Sequence, residues 1–219
     1  MPIARSTVVG ATSGVLLLAG AVGFGVGLPK VVDDPAAVPT LPTKLDDRFV
    51  ALQAITPEQA GATSPDQAAQ IKTFTDRAAK SEEETRKILA EQYDEAAVRA
   101  YIDVPAASSS SQSIPAQIAV TVVPGNAGLV NPSGPFVVDE SGSHYTLEVI
   151  DGSHCAIAWN EPVDQTTGTP TGQKPTGADY RVQCRKEVDG LTYDLYTNGL
   201  TPDEVASYVD KVLELTGRA

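Results

Sequence analysis

Hydrophobic and polar positions follow three different rhythms in four stretches of this chain. Residues 7–28, TVVGATSGVLLLAGAVGFGVGL, carry no charge, and as a helix they reach about 33 Å, enough for a hydrocarbon core of about 30 Å. Residues 65–102 follow a helical period instead. At about 100° per residue, Ile71, Phe74, Ala78, Leu89, Tyr93, Ala96 and Ala100 form one stripe, interrupted by Glu82 and Thr85. The polar centre, KSEEETRK, offers Glu82–Arg86 and Glu83–Lys87 pairs in the favourable orientation. That pattern predicts a helix that packs at its ends and bridges solvent between them, or breaks near its middle. From residue 116 onward the period shortens to two, and after Thr201 a helical period returns, with Val205, Tyr208, Val209 and Val212 on one face and Gly217 as the stop.

Punctuation between these runs is explicit. Thr56-Pro57-Glu58-Gln59, Ser64-Pro65-Asp66-Gln67 and Thr201-Pro202-Asp203-Glu204 each combine a capping hydroxyl, a proline at the first helical position and an acid near the positive helix end. All three predict helix starts. PAASSSSQSIP, residues 105–115, is a low-complexity linker, QIAVTVV at 117–123 and PFVVD at 135–139 are strand candidates, and Asp151-Gly152 and Asp189-Gly190 predict two-residue hairpin turns.

Those turns dictate registers. The first pairs Ile150 with Ser153, Val149 with His154, Glu148 with Cys155 and His144 with Trp159. Neighbours in a strand point to opposite faces, so His154 and Cys155 diverge, and His144 lies on the other face from His154, about 16 Å away along the strand. The two histidines cannot share a metal, and Cys155 is not activated by its neighbour. Trp159 reads as a core or rim anchor. The second hairpin gathers Val182, Cys184, Val188, Leu191, Tyr193 and Leu195 on one face and pairs Arg185 with Asp194 on the other.

The layout expected is a short cytoplasmic end (1–6), a transmembrane anchor (7–28), a Pro-rich spacer (29–56), a helical segment (57–104), the Ser-rich linker (105–115) and an extracytoplasmic α+β domain (116–219). Its fold class is α+β: one long helix, an antiparallel sheet of four to six strands, and a C-terminal amphipathic helix packed on it.

Composition then narrows the function. The 219 residues are 42% hydrophobic and 20% charged, with a formal charge of -12, and every Asp and Glu lies at or after Asp33. Nucleic acid is excluded as a partner, because backbone binding needs a basic face, and an anionic lipid surface repels such a domain. Arg5 before the apolar run, against Lys30 followed by Asp33 and Asp34, puts the short amino end on the cytoplasmic side. The alternative is a secreted protein cleaved after Ala19-Gly20-Ala21. Both export the domain. Cys155 and Cys184 are the chain's two cysteines, and in an oxidising compartment they are expected to form a disulfide.

Candidate chemistry changes little. The chain has no G-x-S-x-G, Walker-type loop, H-E-x-x-H or C-x-x-C. The Glu82–Glu84 run lacks the loop geometry calcium prefers. Catalytic residues, metal ligands and cofactors are therefore not expected. Within the apolar run, Gly10 and Gly14, and Ala19, Gly23 and Gly27, recur at four-residue spacing and form small stripes on which another membrane helix packs closely. Partners are accordingly integral membrane proteins or a second copy, reached through that helix.

The Ala, Pro and Thr richness, the short anchor and the Pro-rich spacer make the chain resemble exported, N-terminally anchored membrane proteins of high-GC Gram-positive, actinobacterial type. The resemblance is one of style over the whole chain and implies export, with no activity attached. The leading expectation is a single-pass, membrane-anchored interaction module, an accessory or scaffold subunit of a larger envelope complex. The alternative is an extracytoplasmic domain that binds a small or cell-wall ligand through the 162–178 loop and the sheet edge. An enzyme of unrecognised type ranks third.

Overall fold

Two Asp-Gly turns organise the sheet. Asp151 and Gly152 (φ 49° and 75°) and Asp189 and Gly190 (φ 50° and 74°) both take the left-handed conformation, which matches the twist of the flanking strands and closes each hairpin in two residues. The computed structural model describes residues 37–108, 115–128, 138–140, 142–164 and 166–218. From Ala37 onward the chain clusters as one unit.

The described residues form an α+β fold on an eight-stranded antiparallel sheet. Its strands are β1 (Phe49–Ala51), β2 (Ala97–Asp103), β3 (Gln117–Pro124), β4 (Val138–Glu140), β5 (Ser143–Ile150), β6 (Ser153–Asn160), β7 (Tyr180–Val188) and β8 (Leu191–Asn198). Spatial order is β1-β2-β3-β8-β7-β6-β5-β4. The chain thus lays down three strands from one edge to the middle, restarts at the far edge and returns until β8 pairs with β3. Among the described residues three α-helices accompany the sheet: α1 (Pro65–Tyr93), α2 (Val104–Ser108) and α3 (Pro202–Leu215).

The sheet has eight strands where four to six were expected, because part of the expected spacer becomes β1 and part of the predicted helix becomes β2. A helix running to residue 102 was expected. Instead α1 stops at Tyr93, where Asp94 turns to φ 67°, and Ala97–Asp103 becomes β2. Ala96 and Ala100 fit a helical stripe. Arg99, Tyr101 and Asp103 against Val98, Ala100 and Ile102 also fit a period of two, and β-branched and aromatic residues there favour the strand. The expected helix start at Thr56 also fails. Thr56 and Gln59 exchange their capping bonds, Gln59 Oε1 accepting from Thr56 N at 2.9 Å and Thr56 Oγ1 from Gln59 N at 3.3 Å. Yet the turn ends at once in Gly61, at φ 70°. The signals at Ser64 and Thr201 do cap α1 and α3.

Both expected hairpin registers are present, Ile150↔Ser153 through His144↔Trp159 and Val188↔Leu191 through Arg185↔Asp194. They place Cys155 opposite Cys184 on adjacent strands, with Cα atoms 4.1 Å apart and the sulfurs bonded. Phe49, Tyr101, Ile118, Val120, Tyr193, Leu195 and Val182 share this face and are almost wholly buried. α3 covers it with Val205, Val209 and Val212, fastened by the edge-on contact of Tyr208 with Phe49 and by Lys186 to Asp210 at 2.8 Å. On the same face, Arg99 of β2 reaches Glu82 of α1 at 3.2 Å. Residues 37–45, expected to be part of a semi-extended spacer, are built into this layer. Leu41 and Leu45 are buried, Tyr101 Oη donates to the Pro42 carbonyl at 2.8 Å, and Arg99 donates to that of Leu41. Both described long helices therefore lie against one face of the sheet.

Candidate functional site: the open face of the sheet

The opposite face carries no helix among the described residues. Its side chains form rows across the strands, because every pair is antiparallel and in direct register. One row runs Leu147, Ala156, Gln183, Tyr196, Ala119 and Ala100. The next runs Val149, His154, Arg185, Asp194, Thr121 and Val98. In the first row three alanines lie low between taller neighbours. Leu147 is 44% exposed, Tyr196 42% and Val149 65%. Large apolar side chains gathered on a face that no described helix covers are uncommon in a monomer and mark contact surfaces.

The second row has a polar centre that is already saturated. Gln183 Nε2 donates to both carboxylate oxygens of Asp194, at 3.0 and 2.8 Å. Arg185 Nε meets Asp194 Oδ2 at 2.8 Å and Nη2 meets the same oxygen at 2.6 Å. Nη1 donates to the carbonyls of Ala127 and Gly128 at 3.1 and 2.8 Å. Ala127 N in turn donates to Thr192 Oγ1 at 3.1 Å. Arg185 therefore pins the segment after β3 across the end of the sheet; with its donors committed it acts as a wall.

Beside that segment lies a half-open concavity of about 680 Å³, lined by Asn126, Gly128, Leu147, Val149, His154, Arg185 and Glu187. A volume of this size suits a small ligand. The 162–178 loop, expected to carry ligand contacts, joins the opposite end of the β6–β7 pair. Its described residues fold on themselves: Val163 bridges Pro170, and Asp164 Oδ1 accepts from the backbone N–H groups of Thr166 and Thr167 at 2.9 and 2.8 Å. Those bonds, Thr167's first, hold the Asp164 carboxyl below its ordinary range.

His154 faces this concavity, whereas His144 is on the covered side. There it stacks on Trp159 with centroids 4.8 Å apart and 12° between planes, while Nε2 lies 2.9 Å from Glu161 Oε1. The tilted ring of Tyr180 extends the group. Trp159 is thus an anchor for a ring cluster at the strand ends. Among the described residues no group of three or more His, Cys, Asp or Glu is arranged to hold a metal ion.

A separate polar cluster ties α3 to β1. Arg48 bridges Asp103 at 2.6 Å and Glu204 at 3.2 Å, and Tyr208 Oη donates to Asp46 Oδ2 at 2.8 Å. Burial works against the charge on both Arg48 and Glu204, and their bonds outweigh it. Arg48 ends above its ordinary value, through Asp103 first, and Glu204 below its own, through the backbone and hydroxyl of Thr201 and then Arg48. Burial first, and then the bond to Asp46, push Tyr208 up. Every charge there has a partner, so the cluster reads as a clamp.

Of the residues singled out in the sequence, Cys155 and Cys184 are joined and buried. Gly10, Gly14, Ala19, Gly23 and Gly27 lie outside the described residues, and so does the whole 7–28 segment. Among the described residues no helix is long and apolar enough to cross a membrane. Leu147, Val149 and Tyr196 were not singled out as site residues, although the signal for all three was present: with Cys155 and Cys184 inward, the two hairpin registers already send them to the other face. Comparison of the chain with protein-family models, with curated proteins and with solved structures finds no match.

Proposed function

We propose that this chain is a membrane-anchored, extracytoplasmic interaction module, an accessory or scaffold subunit of an envelope complex, and that it works by contact without catalysing a reaction. The observation that carries this reading is the open sheet face with Leu147, Val149 and Tyr196 standing exposed on it. Three further features support it. The uncharged 7–28 run is long enough to span a bilayer. Small residues recur along it at the spacing that lets membrane helices approach. Both cysteines are consumed in a buried bond, as suits an oxidising compartment. The partner is an integral membrane protein, held through that helix and through the open face.

The test is purification of the full-length chain from gently solubilised membranes. A stoichiometric integral-membrane partner is expected, and it should be lost when Leu147 and Val149 are both replaced by Lys, a change on exposed side chains that leaves the fold intact. A lone monomer, or a partner retained undiminished by that variant, contradicts the proposal.

The concavity beside Arg185 favours a second reading, a small or cell-wall ligand seated between Leu147, Val149, His154 and Glu187. Cell-wall fragments that raise the melting temperature of the parent and leave that of the Leu147→Lys, Val149→Lys variant unmoved would favour it.

A further inference from the structure

α1 is 29 residues long and buries none of them. It is held to the rest of the fold on one side, where Glu82 Oε1 accepts from Gln53 Nε2 at 3.0 Å and meets Arg99 at 3.2 Å. Roughly a quarter of a turn away around the axis, at 3.6 residues per turn, Gln67, Phe74, Ser81 and Ile88 follow one another at intervals of seven. All four are uncharged and exposed. Phe74 is 43% exposed and Ile88 58%, an unusual state for the two largest apolar groups on a helix's outer side.

We infer that this line is the surface on which two copies of the chain pair, helix against helix and antiparallel. Phe74 and Ile88 stand seven residues to either side of Ser81. Two α1 helices crossing at Ser81 on a twofold axis therefore bring Phe74 of each against Ile88 of the other, and the contact is made twice. The helix surface has a receptacle for it, a shallow hollow lined by Ala69, Gln70, Thr73, Phe74 and Arg77. The last four, at i, i+3, i+4 and i+7, have the spacing of the hole into which a facing helix inserts one side chain. Reflected through Ser81, the centre of that hollow falls on Ile88. Small Ser81 at the crossing lets the backbones come close.

Charge decides the direction. Residues 65–80 carry Lys72, Arg77 and Lys80 against Asp66 and Asp76, a net +1, and residues 81–93 carry Glu82, Glu83, Glu84 and Glu91 against Arg86 and Lys87, a net -2. Antiparallel pairing opposes unlike halves, whereas parallel pairing opposes like with like. Arg77 and Glu84 flank the uncharged line and come opposite each other twice, once on each side of the axis. The inference is independent of the open sheet face and of the compartment, so it stands or falls apart from the proposed function.

Cross-linking of the full-length protein through introduced thiols tests it, since the native pair is buried and bonded. Ser81→Cys lies on the axis and is expected to form an interchain disulfide under mild oxidation. Gln92→Cys is equally exposed but far from the axis, and is expected to form none. Within the Ser81→Cys protein, Arg77→Glu should abolish most of the linked dimer, and adding Glu84→Arg should restore it. Every changed side chain is exposed, so the parent's melting temperature should be kept and serves as the folding control. Linking at both 81 and 92, linking at neither, or failure of the second charge change to restore the dimer overturns the inference.

Discussion

Cys155 and Cys184 show how a residue's role follows from where the strand points it. Each occupies an inward position of an antiparallel pair, each is almost wholly buried, and they stand opposite one another. Closing a loop of 29 residues is worth roughly 3–4 kcal/mol in the chain-entropy model. Replacing both by Ser is expected to lower the unfolding free energy by about that amount in denaturant titration, and a change under 1 kcal/mol would mean that the bond constrains little. Asp194 is the second residue on which local order depends. It neutralises Arg185 and orients Gln183 in a largely buried position. Truncation to Ala leaves a buried guanidinium half-paired, at a cost of about 3 kcal/mol. It should also speed hydrogen exchange at the Ala127 amide, whose segment Arg185 holds in place.

At the scale of elements, the two hairpins were legible because Asp-Gly sets both turn type and register. From the register the face of every residue on β5–β8 followed, His144, His154 and both cysteines included. The α1–β2 boundary was not legible. Alanine at positions 96 and 100 satisfies the helical and the extended period at once, and the deciding interaction, pairing of β2 with β3 and β1, joins residues distant in the chain. The polar middle of α1 was misread for a related reason. Glu82 interrupts an apolar stripe, yet it is the docking residue, because its partner Arg99 lies on that same unrecognised strand. Glu83, whose expected pair with Lys87 does form, is also bonded to Arg86, and those two hydrogen bonds bring its pKa down to about 2. For α3, Thr201 and Glu204 complete a reciprocal cap. The folded pKa of Glu204 is depressed, so its contribution is present above the unfolded value and is lost as pH falls through the folded one. Glu204→Gln should therefore melt below the parent at pH 7, with the gap narrowing as the buffer is taken well below pH 4.5. A gap independent of pH would assign the effect to packing alone.

For the whole molecule, fold class was readable while strand number was not. Alternation announces a sheet, but β1 is only three residues, too short to show a period; β4, equally short, overlaps the strand expected at 135–139, and the place of both at the two edges is set by tertiary pairing. The candidate site was half legible. The register of β5 implied that Leu147 and Val149 face away from the core, but only the arrangement of α1 and α3 on the other side reveals that no described helix returns to cover them. In the proposed reading, an acidic domain with a covered, disulfide-locked face and an open, partly apolar one works by contact, and the uncharged run ahead of it would hold it at a membrane. Intact cells expressing the full-length chain test that claim most directly, by probing the domain with a membrane-impermeant protease and a thiol-alkylating reagent before and after reduction. The account predicts a membrane-bound protein whose domain is cleaved from outside and whose Cys155 and Cys184 react only after reduction. A soluble, protease-protected protein with both thiols reactive from the start would contradict it.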